Sequence, residues 1–152
     1  MKIRLLISSI LLPAILIIFM NSICLSANWL YVDTTAYGSH YIDADSINYD
    51  KKYNIVKIWT KTLYTQHGLL MYLNHVYQGG QIPKLDLDIS YSIVLLQYDL
   101  KNKSSLIVSG HNYNKQAVSL STMETTDVGP IIPGSITEIE LKKALEIKGI
   151  KR

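Results

Sequence analysis

The sequence predicts an α+β domain: a mostly antiparallel, curved sheet of about six strands with one C-terminal helix packed on it and a short helix between strands 3 and 4. Three observations predict it. Apolar and polar side chains alternate over Trp29 to Asp33 and over Ile55 to Thr65, as in half-buried strands. Three further strand-like runs between Ser90 and Thr125 are separated by short polar turns, which makes a meander. Ser135, followed three residues later by Glu138, opens an amphipathic stretch that ends at Gly149.

The N-terminus belongs to export rather than to the domain. Lys2 and Arg4 precede an almost wholly apolar run from Leu5 to Met20, and Asn-Ser-Ile-Cys-Leu-Ser-Ala leads to Asn28. This is the layout of a secretory signal peptide over residues 1–27, with Ala27 at the cleavage point. An uncleaved anchor fits less well, because the apolar core is shorter than the ~20 residues of a span and contains Pro13. Lipidation at Cys24 is the weaker alternative, since Ile23 stands where a small residue is normal.

Cleavage after Ala27 leaves a single domain of 28–152 without cysteine. A chain of that length can support one core without staples. Removing Lys2 and Arg4 from the fifteen basic side chains leaves thirteen against twelve acidic ones, and Arg152 is then the sole arginine. That balance lacks the clustered basic footprint of a nucleic-acid binder. The chain has eleven tyrosines, which suit half-buried strand positions and also give rigid contact area at binding surfaces.

Along the domain, Trp29, Tyr31 and Asp33 alternate with Leu30 and Val32 in the first strand. A turn over 34–39 leads to His40-Tyr-Ile-Asp, a short second strand that pairs back as a hairpin. Asp45-Ser-Ile47 leaves the sheet, and 48–54 is polar and turn-like. The third strand places Val56, Ile58, Thr60, Thr62 and Tyr64 on one face. Lys57, Trp59, Lys61 and Leu63 take the other, where the lysines argue for solvent.

Residues 66–87 break the alternation. His67 to Tyr77 fits a helix of about three turns, stopped at Gly79-Gly80 and barred from resuming by Pro83. As the least regular segment it is the expected binding surface, with Tyr72, His75, Tyr77 and Lys84 as candidate protein-contacting residues. In the meander, Tyr91, Ile93, Leu95 and Gln97 oppose Ser92, Val94, Leu96 and Tyr98. Apolar side chains on both faces predict a central strand covered on both sides. Gly110 marks a bulge or a close approach. In the last helix Ile136, Ile139, Leu141, Ala144, Leu145 and Ile147 form an apolar side interrupted by Glu140 and Lys143, opposite a Glu138, Lys142, Glu146 ladder.

These pieces, in this order, resemble the surface-adhesin protein E family of secreted or surface-attached bacterial proteins. The resemblance is carried by Trp29-Leu-Tyr-Val, Tyr41-Ile-Asp-Ala-Asp-Ser-Ile, Val56-Lys-Ile-Trp, Gln97-Tyr-Asp and Ile132-Pro-Gly-Ser, and it covers essentially all of 28–152. It implies the same curved sheet with a C-terminal helix, and an adhesin that binds host extracellular-matrix and serum proteins. The family places one cysteine after the aspartate here at position 99 and a second at the end of the helix. This chain has Leu100 at the first place and none at the second, so apolar contact is expected to replace the disulfide.

Catalysis is not expected. His111, Ser109 and Asp99 supply the residue types of a hydrolase triad but no nucleophile elbow. His67 and His75 lack the further converging ligands that a metal needs, and Asp86-x-Asp88 lacks the oxygens of a calcium loop. The expectation is therefore an exported binding domain at the cell surface, in the periplasm or outside the cell, without cofactor, metal or nucleic acid. Its partner would be a protein, and a homodimer is compatible with the residues. The alternative role is a periplasmic accessory or inhibitor-like domain acting on a bacterial envelope protein.

Overall fold

A computed structural model describes residues 27–123 and 128–150. Residues 1–26 of the expected signal peptide, Cys24 among them, lie outside the described residues, as does the far end of the last meander strand. The fold is α+β, as the patterning predicts. Strands β1 (Trp29–Thr34), β2 (Gly38–Asp43), β4 (Ile55–Tyr64), β5 (Tyr91–Asp99), β6 (Ser104–Tyr113) and β7 (Ser119–Met123) form one antiparallel sheet in the order β1-β2-β4-β5-β6-β7.

Two short strands extend this path. β3 (Asn48–Asp50) pairs with the start of β4, and β8 (Gly129–Pro130) pairs with the start of β6. β3 lies in the stretch whose composition reads as a turn. Its pairing depends on a 3₁₀ turn, Ala44–Ser46, that moves the chain from beside one half of β4 to beside the other. The Ser46 hydroxyl donates to the Asp43 carbonyl at 2.7 Å and accepts the Trp59 amide at 3.0 Å. A backbone donor interrupted in the ladder is thereby satisfied.

Helix α1 (Gln66–Val76) follows β4, with the Thr65 hydroxyl accepting the Gly68 amide at 2.9 Å as its N-cap. A second 3₁₀ turn, Lys84–Asp88, leads into β5. Helix α2 (Ile136–Ile147) starts at Ser135, whose hydroxyl accepts the Glu138 amide at 3.3 Å. The Glu138 carboxylate reaches back to the Gly134 amide rather than to that of Ser135, so the capping box closes one residue early. Gly149, at φ +65°, ends the helix, and Ile150 donates to the Leu145 carbonyl in a Schellman arrangement. Glu138 pairs with Lys142 at 2.8 Å, while Glu146 pairs with Lys143 rather than continuing that ladder.

Both helices pack on one face of the sheet. Leu141, Ala144 and Leu145 of α2 bury against Ile42, Val56, Ile58 and Tyr98, with Leu30, Val32 and Leu100 at the margin. Leu69 and Leu73 of α1 form a second cluster with Ile89, flanked by Tyr64 and Tyr72. Between the clusters runs a buried polar row that includes His40, Thr60, Ser92 and Asn112. Glu140, which in sequence interrupts the apolar side of α2, is on the buried side of that helix. Among the described residues no helix is long and apolar enough to cross a membrane.

The expectation that β5 is covered on both sides is corrected. On the helix side Ser92 and Tyr98 are buried and Val94 and Leu96 half-buried, whereas Tyr91, Ile93, Leu95 and Gln97 on the other side are all half-buried. No second layer packs on them among the described residues, and Tyr91 is stacked on Tyr113 of the adjacent strand. The irregularity expected near Gly110 falls at Val108, which the register passes over between Ile107 and Ser109. Gly110 is instead a close approach: a Cβ there would lie 3.0 Å from the Met123 Cε and 3.1 Å from Val94.

Candidate functional site: the open face of the sheet

Because successive side chains of a strand point to opposite faces, the residues opposite the core all project to the uncovered side. On β4 these are Lys57, Trp59, Lys61 and Leu63, and the ladder sets them beside Gln97, Leu95, Ile93 and Tyr91 of β5. β6 adds His111 beside Ile93 and Tyr113 beside Tyr91. β2 adds Tyr41 beside Lys61, and β1 adds Tyr31 beside Tyr41. One row therefore crosses the sheet as Tyr31, Tyr41, Lys61, Ile93, His111.

The rings of this face touch one another. Tyr31 meets Tyr41 edge-on at 5.8 Å, Tyr91 stacks on Tyr113 at 5.0 Å, and His111 tilts against Tyr113 at 6.1 Å. The Lys61 ammonium sits over two rings, 4.7 Å from the centroid of Tyr91 and 5.6 Å from that of Trp29. Such a cation is held by the ring quadrupoles while its N–H groups stay available. Both tryptophans of the chain, Trp29 and Trp59, lie on this side. Exposure rises toward the margins, reaching 53% at Tyr31 and 37% at Leu63.

The carboxylates assigned to this face by register stand at its corners, and each is engaged by a turn. Asp43 accepts the amides of Asn28 and Asp45. Asp50 accepts those of Lys52 and Tyr53. Asp99 accepts those of Lys101 and Asn102 together with the Asn102 side chain, and these bonds hold its carboxyl below the usual carboxylate range. Among the described residues the centre is left with Lys57, Lys61 and His111 among aromatic and aliphatic groups. Lys61 makes no ion pair among the described residues.

The four residues expected to contact a partner are divided by the fold. Tyr72 and Tyr77 converge on a cavity of about 260 Å³ with Pro83, Leu85, Asp86 and Met123. Tyr72 stacks on Tyr64 at 5.2 Å and donates to the Met123 sulfur at 3.2 Å, which makes it a packing residue. Tyr77 donates to the Asp86 carboxylate, a bond that raises the phenol above its usual range. His75 and Lys84 are exposed and do not line this cavity.

The triad residue types are likewise separated. Asp99 pairs with Ser104 and His111 with Ile93, six positions away along β5, which is about 20 Å of strand. Among the described residues no group of three or more His, Cys, Asp or Glu side chains is placed to hold a metal ion. A recess of about 470 Å³ beside α2 is lined by Ile131, Leu141, Leu145 and Ile150, and on its rim Lys142 is paired with Glu138.

The sequence signal for the open face was the pair Lys57 and Lys61 alternating with buried residues. The rest of the row needs the pairing register, which joins five strands. No protein-family model, curated protein or solved structure matches this chain.

Proposed function

We propose that the chain is an exported, non-catalytic binding domain that holds an extracellular-matrix or serum protein on the open face of its sheet. The observation that carries this reading is the uncovered, half-buried cluster of Trp29, Tyr41, Trp59, Tyr91 and Tyr113 around Lys61. Rigid aromatic rings beside a lysine give contact area at low entropic cost, and aromatic anchors dominate binding surfaces. The resemblance to the protein E family supplies the class of partner.

Two measurements test the reading. Proteolysis of intact cells that make the protein is expected to remove it, and the purified chain is expected to bind matrix or serum proteins. Tyr91→Ser combined with Lys61→Glu is expected to abolish that binding without unfolding the domain. Protection in intact cells, with digestion only after the outer membrane is breached, would instead favour the periplasmic accessory role on an envelope partner.

A further inference from the structure

We infer that the open face docks on the same face of a second copy of this chain, with the two sheets related by a two-fold axis that lies across the strands. Such a dimer goes beyond the matrix or serum partner proposed for this face and needs only the face's own charge pattern and extent. A two-fold interface presents one patch to itself, so a face carrying both signs of charge must match its own pattern in reverse.

The pairing register gives that match in one orientation. Along β4 the open positions run Ile55, Lys57, Trp59, Lys61, Leu63. Asp50 and Asp99 flank Ile55 from the adjacent strands, and Asp43 follows Ile42, the partner of Thr60, so it stands beside Trp59. A two-fold axis along the strands would bring the Ile55 ends together, with aspartate on aspartate and lysine on lysine. An axis across the strands, midway between Lys57 and Trp59, reverses the order. Ile55 then lies over the second copy's Lys61, which Asp50 and Asp99 straddle, and Trp59 lies over the second copy's Lys57, which Asp43 adjoins. Each lysine thereby gains a carboxylate and each of these aspartates a cation, twice over by symmetry.

Composition and area agree with this occupant. Among the charges lie Trp59, Ile93, Leu95 and Leu106, all half-buried in a single copy. With strands ~4.8 Å apart and ~3.4 Å per residue, the strands of the face and the run from Ile55 to Leu63 give a footprint of roughly 600 Å² on each copy. Two copies together bury about 1,200 Å², the lower limit for a stable interface, which predicts a reversible dimer rather than an obligate one.

Sedimentation velocity of the purified chain, from low to high micromolar concentration, tests the dimer. The expected result is a monomer–dimer equilibrium, weakened about tenfold or more in Lys61→Glu, where a glutamate meets the two aspartates. Asp50→Asn with Asp99→Asn keeps an oxygen for the turn amides, removes the charge and is expected to weaken the dimer as well. Adding these two substitutions to Lys61→Glu should recover part of its loss, because the repulsion disappears; a merely structural effect would not be recovered. Equal melting temperatures certify that the variants are folded, and Trp59→Ser serves in place of any that is not. A chain that stays monomeric throughout, a dimer untouched by these substitutions, or a triple variant no tighter than Lys61→Glu alone would each overturn the inference. A second copy and a matrix or serum protein would cover the same residues, so such a protein should dissociate the dimer. If the dimer behaves as expected but no matrix or serum protein binds, the second copy stands and the proposed partner falls. If the chain is always monomeric and binds such a protein, the dimer falls and the partner stands.

Discussion

Tyr98 on β5 donates a hydrogen bond to the Glu140 carboxyl on α2 at 3.4 Å, across 42 residues of sequence and wholly inside the protein. The other carboxyl oxygen lies 3.8 Å from the His40 Nδ1. The His40 ring is further bonded through Nε2 to the Thr35 hydroxyl at 2.8 Å and through Nδ1 to that of Thr62 at 3.2 Å. Helix docking thus buries two titratable groups side by side. Burial disfavours both charges, raising Glu140 to about 8 and lowering His40, with Asp33 only partly opposing the latter. Near neutral pH the pair is therefore uncharged, because desolvation of two ions outweighs their attraction at this distance.

That state gives stability a pH signature. Glu140 binds its proton more tightly folded than unfolded, so its contribution is fully present below its ordinary value of 4.5 and is lost as pH rises to about 8. His40 has the opposite sign and acts below 6.5, where the unfolded chain takes up a proton that the buried ring resists. Between pH 6.5 and 8 only Glu140 of this pair still changes stability with pH. Unfolding free energy should fall across that window by at most about 1.4 kcal/mol per pH unit. Urea titrations of Glu140→Gln are expected to show a nearly flat profile there, and a profile as steep as the parent's would refute the assignment.

Leu100 packs at the margin of the cluster beneath α2. Its amide also donates to the Asn54 carbonyl at 2.9 Å, which fixes the chain where β5 turns. Leu100→Asp places a carboxylate against Tyr98, Leu141 and their neighbours, at an expected cost of about 2 kcal/mol or more. A melting temperature equal to that of the parent would show that apolar contact at this position does not hold the helix.

Gly68, in the first turn of α1, lies against the backbone of Tyr37. A Cβ added there would fall 1.9 Å from the Tyr37 carbonyl oxygen, whose other partner is the Thr65 amide at 3.1 Å. Backbone cannot give way as a flexible side chain can. Gly68→Ala should therefore cost about 1–3 kcal/mol despite the better helix propensity of alanine. Gly129→Ala, with open space around the new methyl, is the control and should leave the denaturation midpoint unchanged.

Much of the fold was legible because it depends on local pattern. The alternation of β4, the cap at Ser135, the stop at Gly149 and the helix after Thr65 each follow from side chains a few residues apart. What stayed hidden depends on partners distant in sequence. Asn48–Asp50 has no strand signal of its own and becomes β3 only because Ser46 steers it to β4. Glu140 reads as an interruption of an apolar stripe until Tyr98 and His40 are placed opposite it. Ile93 and Leu95 suggested a second covering layer, whereas the register sets them beside Lys61 and Trp59 on the uncovered side. The open face itself spans five strands and has no linear motif.

The polar row between the two helices gives the last prediction. Asn112 on β6 accepts the Ser92 hydroxyl and donates to that of Ser121 at 2.9 Å, and the Tyr64 hydroxyl is bonded to the Ser92 oxygen at 2.9 Å. Asn112 and Ser92 are buried, so a lost partner is not replaced freely by water. Asn112→Ala would strand the Ser92 and Ser121 hydroxyls and open a cavity, at an expected cost of about 1–3 kcal/mol. Ser92→Ala removes only one hydroxyl and should cost less. The two losses share a bond, so the double variant should be less destabilised than their sum, by about 0.5 kcal/mol or more in a double-mutant cycle. Strict additivity in equilibrium unfolding would show that the two side chains do not act as one network.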